Sequence, residues 1–126
     1  MEWKFNNDAP IYAQLIAQVR QGIASGIFSP GEQLKPVREL ALEAGVNPNT
    51  VQRALSELER EGLLFTQRTA GRFVTEDLAV ITDVRSGLAK EHAGRFLDAM
   101  SNLGYKNSEI IDIIKNSMEE NENAGT

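Results

Sequence analysis

Apolar residues in the first part of the chain recur with a helical period. Ile11, Leu15, Val19 and Ile23 stand every fourth residue, with Tyr12, Ile16 and Ile27 filling beside them. Asp8 is a good N-cap, Pro10 suits a first turn and Gly26 suits an end, so the spacing predicts an amphipathic helix within residues 8–28. Ahead of it, Trp3-Lys4-Phe5 reads either as a strand or as an aromatic clip over the core. After the Ser29-Pro30-Gly31 turn, Val37, Leu40 and Ala41 mark a short helix over residues 36–44, with Gly45 placed for a left-handed C-cap. Only Val46 separates Gly45 from Asn47, the next N-cap, and Pro48 follows at the first helical position. Two helices joined by so tight a turn predict a helix-turn-helix unit.

At about 100° per residue, Val51, Ala54, Leu55 and Leu58 of the third helix fall within one buried stripe. Asn49, Arg53, Ser56 and Arg60 fall opposite, Gln52 lies on a flank, and Gly62 ends the helix. Two β-favouring runs, residues 63–67 and 72–75, then surround Arg68-Thr69-Ala70-Gly71 and predict a hairpin whose tip carries Arg68 and Arg72. From Leu78 the pattern turns helical again. Ile81, Val84, Leu88, His92, Phe96, Met100 and Leu103 continue one long helix closed by Gly104. Asn107 or Ser108 is expected to cap a last helix holding Ile110, Ile111, Ile113, Ile114 and Met118, and residues 119–126 are expected to be a disordered acidic tail. The fold class is therefore mainly α with a small β-hairpin (α+β). It divides into residues 1–77, a winged helix-turn-helix; 78–118, a two-helix segment; and the tail, 119–126.

Composition narrows the chemistry. The chain has 126 residues, 41% apolar and 25% charged, which is ordinary for a soluble domain. It has no cysteine and one histidine, His92, which excludes disulfides, thiol catalysis and any site needing two imidazoles. Neither a dinucleotide fingerprint nor a phosphate loop occurs. The carboxylates fall at helix-surface spacing, so no enzyme, metal or cofactor is expected. His92 lies on the apolar line of its helix and reads as a packed or interface residue. Without a membrane-length apolar run or a leader, the chain reads as cytoplasmic. The net charge of −5 argues against a nonspecific nucleic-acid coat. Charge is unevenly spread, however: residues 35–72 hold six basic and five acidic side chains, and residues 78–126 hold five and eight.

A helix fits the major groove of double-stranded DNA; Asn and Gln can pair with adenine at two points, and Arg with guanine. Asn49, Gln52 and Arg53 supply those groups away from the core. The helix start behind Asn47 attracts anions, Arg38 can reach phosphate or a base, and Arg68 and Arg72 fit a wing on the backbone or in the minor groove. The plainer reading is a solvated surface on which Arg53 and Arg60 pair with Glu57 and Glu61. It is weaker for Arg53, which Asn49 and Gln52 flank.

The run PGEQLKPVRELALEAGVNPNTVQRALSELEREGLL (30–64), with Arg68 to Val74 behind it, resembles the winged-helix domain of GntR-family bacterial transcription regulators. Asp-Ala-Pro-Ile-Tyr-Ala-Gln-Leu (8–15), Asn-Pro-Asn-Thr-Val-Gln-Arg-Ala and the short C-terminal part resemble the YtrA-type subfamily. This resemblance implies a homodimeric repressor that binds a palindromic operator and controls a transporter operon. It places DNA contacts on Arg38, Asn47, Asn49, Thr50, Gln52, Arg53 and the wing glycine Gly71. Lys35 stands where family members have the proline of Leu-Pro-Ser, which leaves it for the phosphate role of the missing serine. In the wing, Thr69 and Arg72 replace a glycine and a threonine. Forty-nine residues from Leu78 are too few for an effector domain, and the resemblance implies a dimerisation unit instead. Leu88, Phe96, Met100, Ile110, Ile111, Ile113 and Ile114 are its expected contacts; the isoleucines span too wide an arc for one neighbouring helix to cover. Two alternatives stand beside the regulator. One is a protein-interaction winged helix without DNA binding. The other is a small-molecule sensor at the dimer interface, with His92, Phe96 and Tyr105 around an unknown effector.

Overall fold

The computed structural model describes residues 1–125. Helix α1 (Ile11–Ser25) is followed by α2 (Val37–Ala44), α3 (Pro48–Arg60), strands β1 (Leu64–Gln67) and β2 (Gly71–Val74), and helices α4 (Leu78–Asn102) and α5 (Asn107–Ala124). The described residues form two compact units, one spanning residues 1–88 and the other beginning at Ala89. The mainly helical class with a single antiparallel hairpin is as the sequence predicts.

In the first unit, Leu15, Val19 and Ile23 of α1 meet Leu40 and Ala41 of α2, the α3 stripe, and Leu63, Leu64, Val74 and Ile81, all buried. Val80 and Val84 pack on this core from the start of α4, and Arg85 Nε donates to the Ala24 carbonyl at 2.8 Å, answering an orphan acceptor near the end of α1. Ile27 lies beyond the helix and is 62% exposed, contrary to its expected place. Phe28 is turned inward instead; its amide donates to the Gly22 carbonyl, and its ring lies where any Cβ on Gly22 would sit.

Two helix starts differ from expectation. The cap of α1 is Pro10, and the Asp8 amide donates to Asn6 Oδ1 in a turn before the helix. The cap of α5 is Lys106, whose amide donates to the Glu109 carboxylate reaching back from the first turn at 3.0 Å, so neither Asn107 nor Ser108 is needed. Trp3-Lys4-Phe5 is the clip, not a strand. The Gln18 amide both accepts from Lys4 N and donates to Lys4 O, Gln14 does the same to Asn6, and Trp3 stacks on Phe5.

The turn between α2 and α3 forms as predicted. Gly45 is left-handed (φ 68°, ψ 36°), its amide reaches Leu42 O and that of Val46 reaches Ala41 O. The hairpin pairs Leu64 with Val74 and Gln67 with Gly71. Residues before α2 line its open edge, with Leu34 N donating to Arg72 O and Val74 N to Glu32 O.

In the second unit Ile110 is buried, Met100, Ile113 and Ile114 are half-buried, and Phe96, Tyr105, Ile111 and Met118 are exposed. His92 is exposed rather than packed. Helix α5 runs on to Ala124, so residues 119–124, expected to be disordered, are helical. Backbone hydrogen bonding extends the helix beyond its apolar stripe despite the acidic side chains. The expectation of disorder for Thr126 lies outside the described residues.

Candidate nucleic-acid interface

Helix α3 sets the geometry. Burial of Val51, Ala54, Leu55 and Leu58 forces the opposite side outward, and Asn49, Gln52 and Arg53 are all exposed there, with Thr50 half-buried. Asn47 caps the helix, its Oδ1 accepting from Asn49 N at 2.8 Å. Thr50 N and Val51 N both donate to the Asn47 carbonyl, and Pro48 has no N–H. The first-turn donors are thus already engaged, and any attraction for an anion here comes from the helix dipole.

Arg53 does not pair with Glu57. Its guanidinium carbon lies 4.2 Å from the ring centroid of Tyr12 on α1, a cation–π contact. The surface-pair reading fits Arg60, whose Nη1 is 2.8 Å from Glu57 Oε2, while Glu61 turns to Arg20. Arg38 on α2 and Arg68 in the hairpin turn are exposed and make no ion pair or side-chain hydrogen bond among the described residues.

Lys35 is engaged. Its Nζ lies 2.7 Å from Glu43 Oε2, and Glu43 Oε1 also accepts from Trp3 Nε1. The hydrogen bond from Lys35 holds the Glu43 carboxyl below its ordinary range, and the same bond raises the Lys35 ammonium.

Arg72 stands on β2 and not at the hairpin tip, which is formed by Arg68, Thr69 and Ala70. Its Nε donates to Glu59 Oε1 at 2.7 Å, and only 16% of its side chain is exposed. Its Nη1 is 3.4 Å from Gln52 Oε1 and its Nη2 is 3.5 Å from Ser56 Oγ. Thr66 Oγ1 donates to the same Glu59 oxygen. Burial pushes the Glu59 carboxyl up, but the Thr66 and Arg72 hydrogen bonds and the guanidinium charge outweigh it and leave the group below its ordinary value. Gly71 opens β2 at φ 109°, a region that favours glycine, and Gln33 Nε2 braces the turn by donating to Ala70 O.

The sequence pattern gives Gln33, Glu59 and Thr66 no role at the interface and reads Tyr12 only as part of the apolar face of its helix. Tyr12 is 41 positions from Arg53, and Glu59 reads locally as one of three surface charges in Glu-Arg-Glu. No local spacing pointed to either contact.

A tight helix-turn-helix with an outward amide-and-guanidinium face, followed by a hairpin, defines a winged-helix DNA-binding regulator. The chain belongs to the gntR family of bacterial regulatory proteins, whose pattern matches residues 11–74. It is 35% identical over 115 residues to the uncharacterized HTH-type transcriptional regulator YhcF of Bacillus subtilis, covering 91% of this chain and 95% of that one. Against the HTH-type transcriptional repressor YtrA of the same organism it is 45% identical over 71 residues, 56% of this chain and 55% of YtrA. A GntR family transcriptional regulator from Listeria monocytogenes superposes with a TM-score of 0.83 at 37% identity, covering 89% of this chain and 98% of that one. These relatives are named for control of transcription, not for catalysis. Among the described residues, no helix is long and apolar enough to cross a membrane.

Proposed function

We propose that the protein is a homodimeric repressor that binds a palindromic operator, with α3 of each subunit in the major groove. The exposed Asn49, Gln52 and Arg53 opposite a wholly buried stripe carry this reading. These three discriminate bases, each good contact contributing on the order of 1–3 kcal/mol. Arg38, Thr50 and Arg68 hold the backbone, Lys35 reaches phosphate by leaving Glu43, and Gly71 permits close approach of the wing. Residues 1–77 form the DNA-binding part and 78–118 the dimerisation part. The first turns of α4, through Leu88, pack with the DNA-binding part. The exposed Phe96 and Ile111 with the half-buried Leu88, Met100, Ile113 and Ile114 leave apolar surface for a second subunit, whereas Ile110 is already buried. A two-fold dimer doubles the phosphate contacts, which offsets the net negative charge. The repressor role rests on likeness to YtrA, and the YtrA-type resemblance makes a transporter operon the target to test first.

Selection of bound sites from random duplex DNA tests the proposal. Enrichment of an inverted repeat with half-sites about one helical turn apart is expected. No retention on any duplex at low salt overturns it in favour of a protein-interaction winged helix.

A further inference from the structure

We infer that Arg72 is a positioning residue for base reading, which fixes the orientation of the Gln52 amide from the wing instead of binding a DNA phosphate. The inference rests on the regulator reading above. A guanidinium only donates, so Arg72 Nη1, 3.4 Å from Gln52 Oε1, favours that oxygen over the amide nitrogen as the near atom. The amide nitrogen is then on the other branch, 3.4 Å from Ser56 Oγ. Gln52 can pair with adenine only when its acceptor and its donor face the matching atoms of the base edge. An amide free to flip presents the two in either order and discriminates less.

Arg72 is itself held by Glu59, which also accepts from Thr66 of β1, so the wing and the recognition helix are pinned at one carboxylate. Turning Arg72 to a phosphate would pull out a side chain only 16% exposed and strip Glu59 of its cation, a larger rearrangement than at Lys35, whose side chain is 59% exposed. Arg38 and Arg68, exposed and without such a partner, are free for that task. Lysine cannot reproduce the arrangement, because a single ammonium has no planar fork to bridge Glu59, Gln52 and Ser56 at once.

The experiment compares the wild-type chain with Arg72→Lys, Gln52→Ala and the double variant. Each is measured on operator duplexes in which every half-site base pair is changed in turn. Arg72→Lys is expected to lose at least about fivefold of the discrimination at the base pair that Gln52 reads, out of the roughly 5- to 150-fold such a contact supplies. In the Gln52→Ala background it should add no further loss. Intact discrimination in Arg72→Lys, or an equal weakening on all sequences in both backgrounds, overturns the inference while leaving the regulator reading in place. A wild-type chain that binds no duplex overturns both. A second measurement needs no DNA: the Arg72 Nε–H resonance of the free wild-type protein should exchange slowly with water. Fast exchange of that proton also overturns the inference.

Discussion

The cap of α3 separates stability from DNA affinity. Asn47 Oδ1 takes the amide of Asn49 at 2.8 Å, and Asn47→Ala leaves that donor to water. Loss of an N-cap side chain costs about 1 kcal/mol. At roughly 2.1 cal/mol/K per residue, a 126-residue chain has an unfolding entropy that converts this to a fall in Tm of about 4 °C. Asn47→Asp keeps the acceptor and adds a charge favoured by the helix dipole, by roughly 0.3–1 kcal/mol, so its Tm should equal or exceed that of the wild type. The same charge would face phosphates in the proposed complex. Roughly 6 Å of water-like medium gives about 0.7 kcal/mol of repulsion per half-site, and two half-sites give on the order of a tenfold loss of affinity. Thermal unfolding followed by circular dichroism and fluorescence anisotropy on a labelled operator measure the two quantities. If Asn47→Asp melts as low as Asn47→Ala, the carboxylate is not acting as a cap. Wild-type affinity in Asn47→Asp would place the start of α3 away from the phosphate backbone.

Three further outcomes follow from the same geometry. Arg53→Ala should relax sequence preference, with a change of about 1–3 kcal/mol confined to one base pair per half-site, read by competition between operator variants; Tyr12→Leu should reproduce part of that change. Glu59 has a folded pKa below its ordinary value, so its stabilisation is fully present above the unfolded-state value of about 4.3 and is lost as pH falls through the lower folded one. Urea midpoints between pH 6 and pH 3 should therefore fall less steeply in Glu59→Gln than in the wild type. Leu55→Ala, at a position 1% exposed in the middle of the core, should cost about 2–5 kcal/mol by equilibrium denaturation.

Elements whose causes are local were legible in the sequence. The α3 stripe, the Gly45 turn and the Asn47 cap each depend on residues within a few positions, and all three form as read. The starts of α1 and α5 were misplaced because several residues near each could serve as a cap. Pro10 and the back-reaching Glu109 prevailed over Asp8, Asn107 and Ser108. At the interface, the exposed face of α3 was readable from its period, but the partners of its side chains were not. Arg53 on Tyr12 and Arg72 on Glu59 are tertiary contacts, and only the packing of α1 and the hairpin against α3 brings them together. The turn comprises only residues 68–70, so Arg72 falls on β2 and not at the tip; the presence of a glycine does not fix the length of such a turn.

The aromatic clip ahead of α1 gives the molecule an optical reporter of its own. Trp3 is the only tryptophan of the chain; it is stacked on Phe5 and tied through Nε1 to Glu43 of α2. Its emission therefore monitors one spot, the seam between the leading segment and the helix-turn-helix. Detachment of the first six residues from Gln14 and Gln18 would shift that emission to the red without a dye, even while the helices keep their circular dichroism.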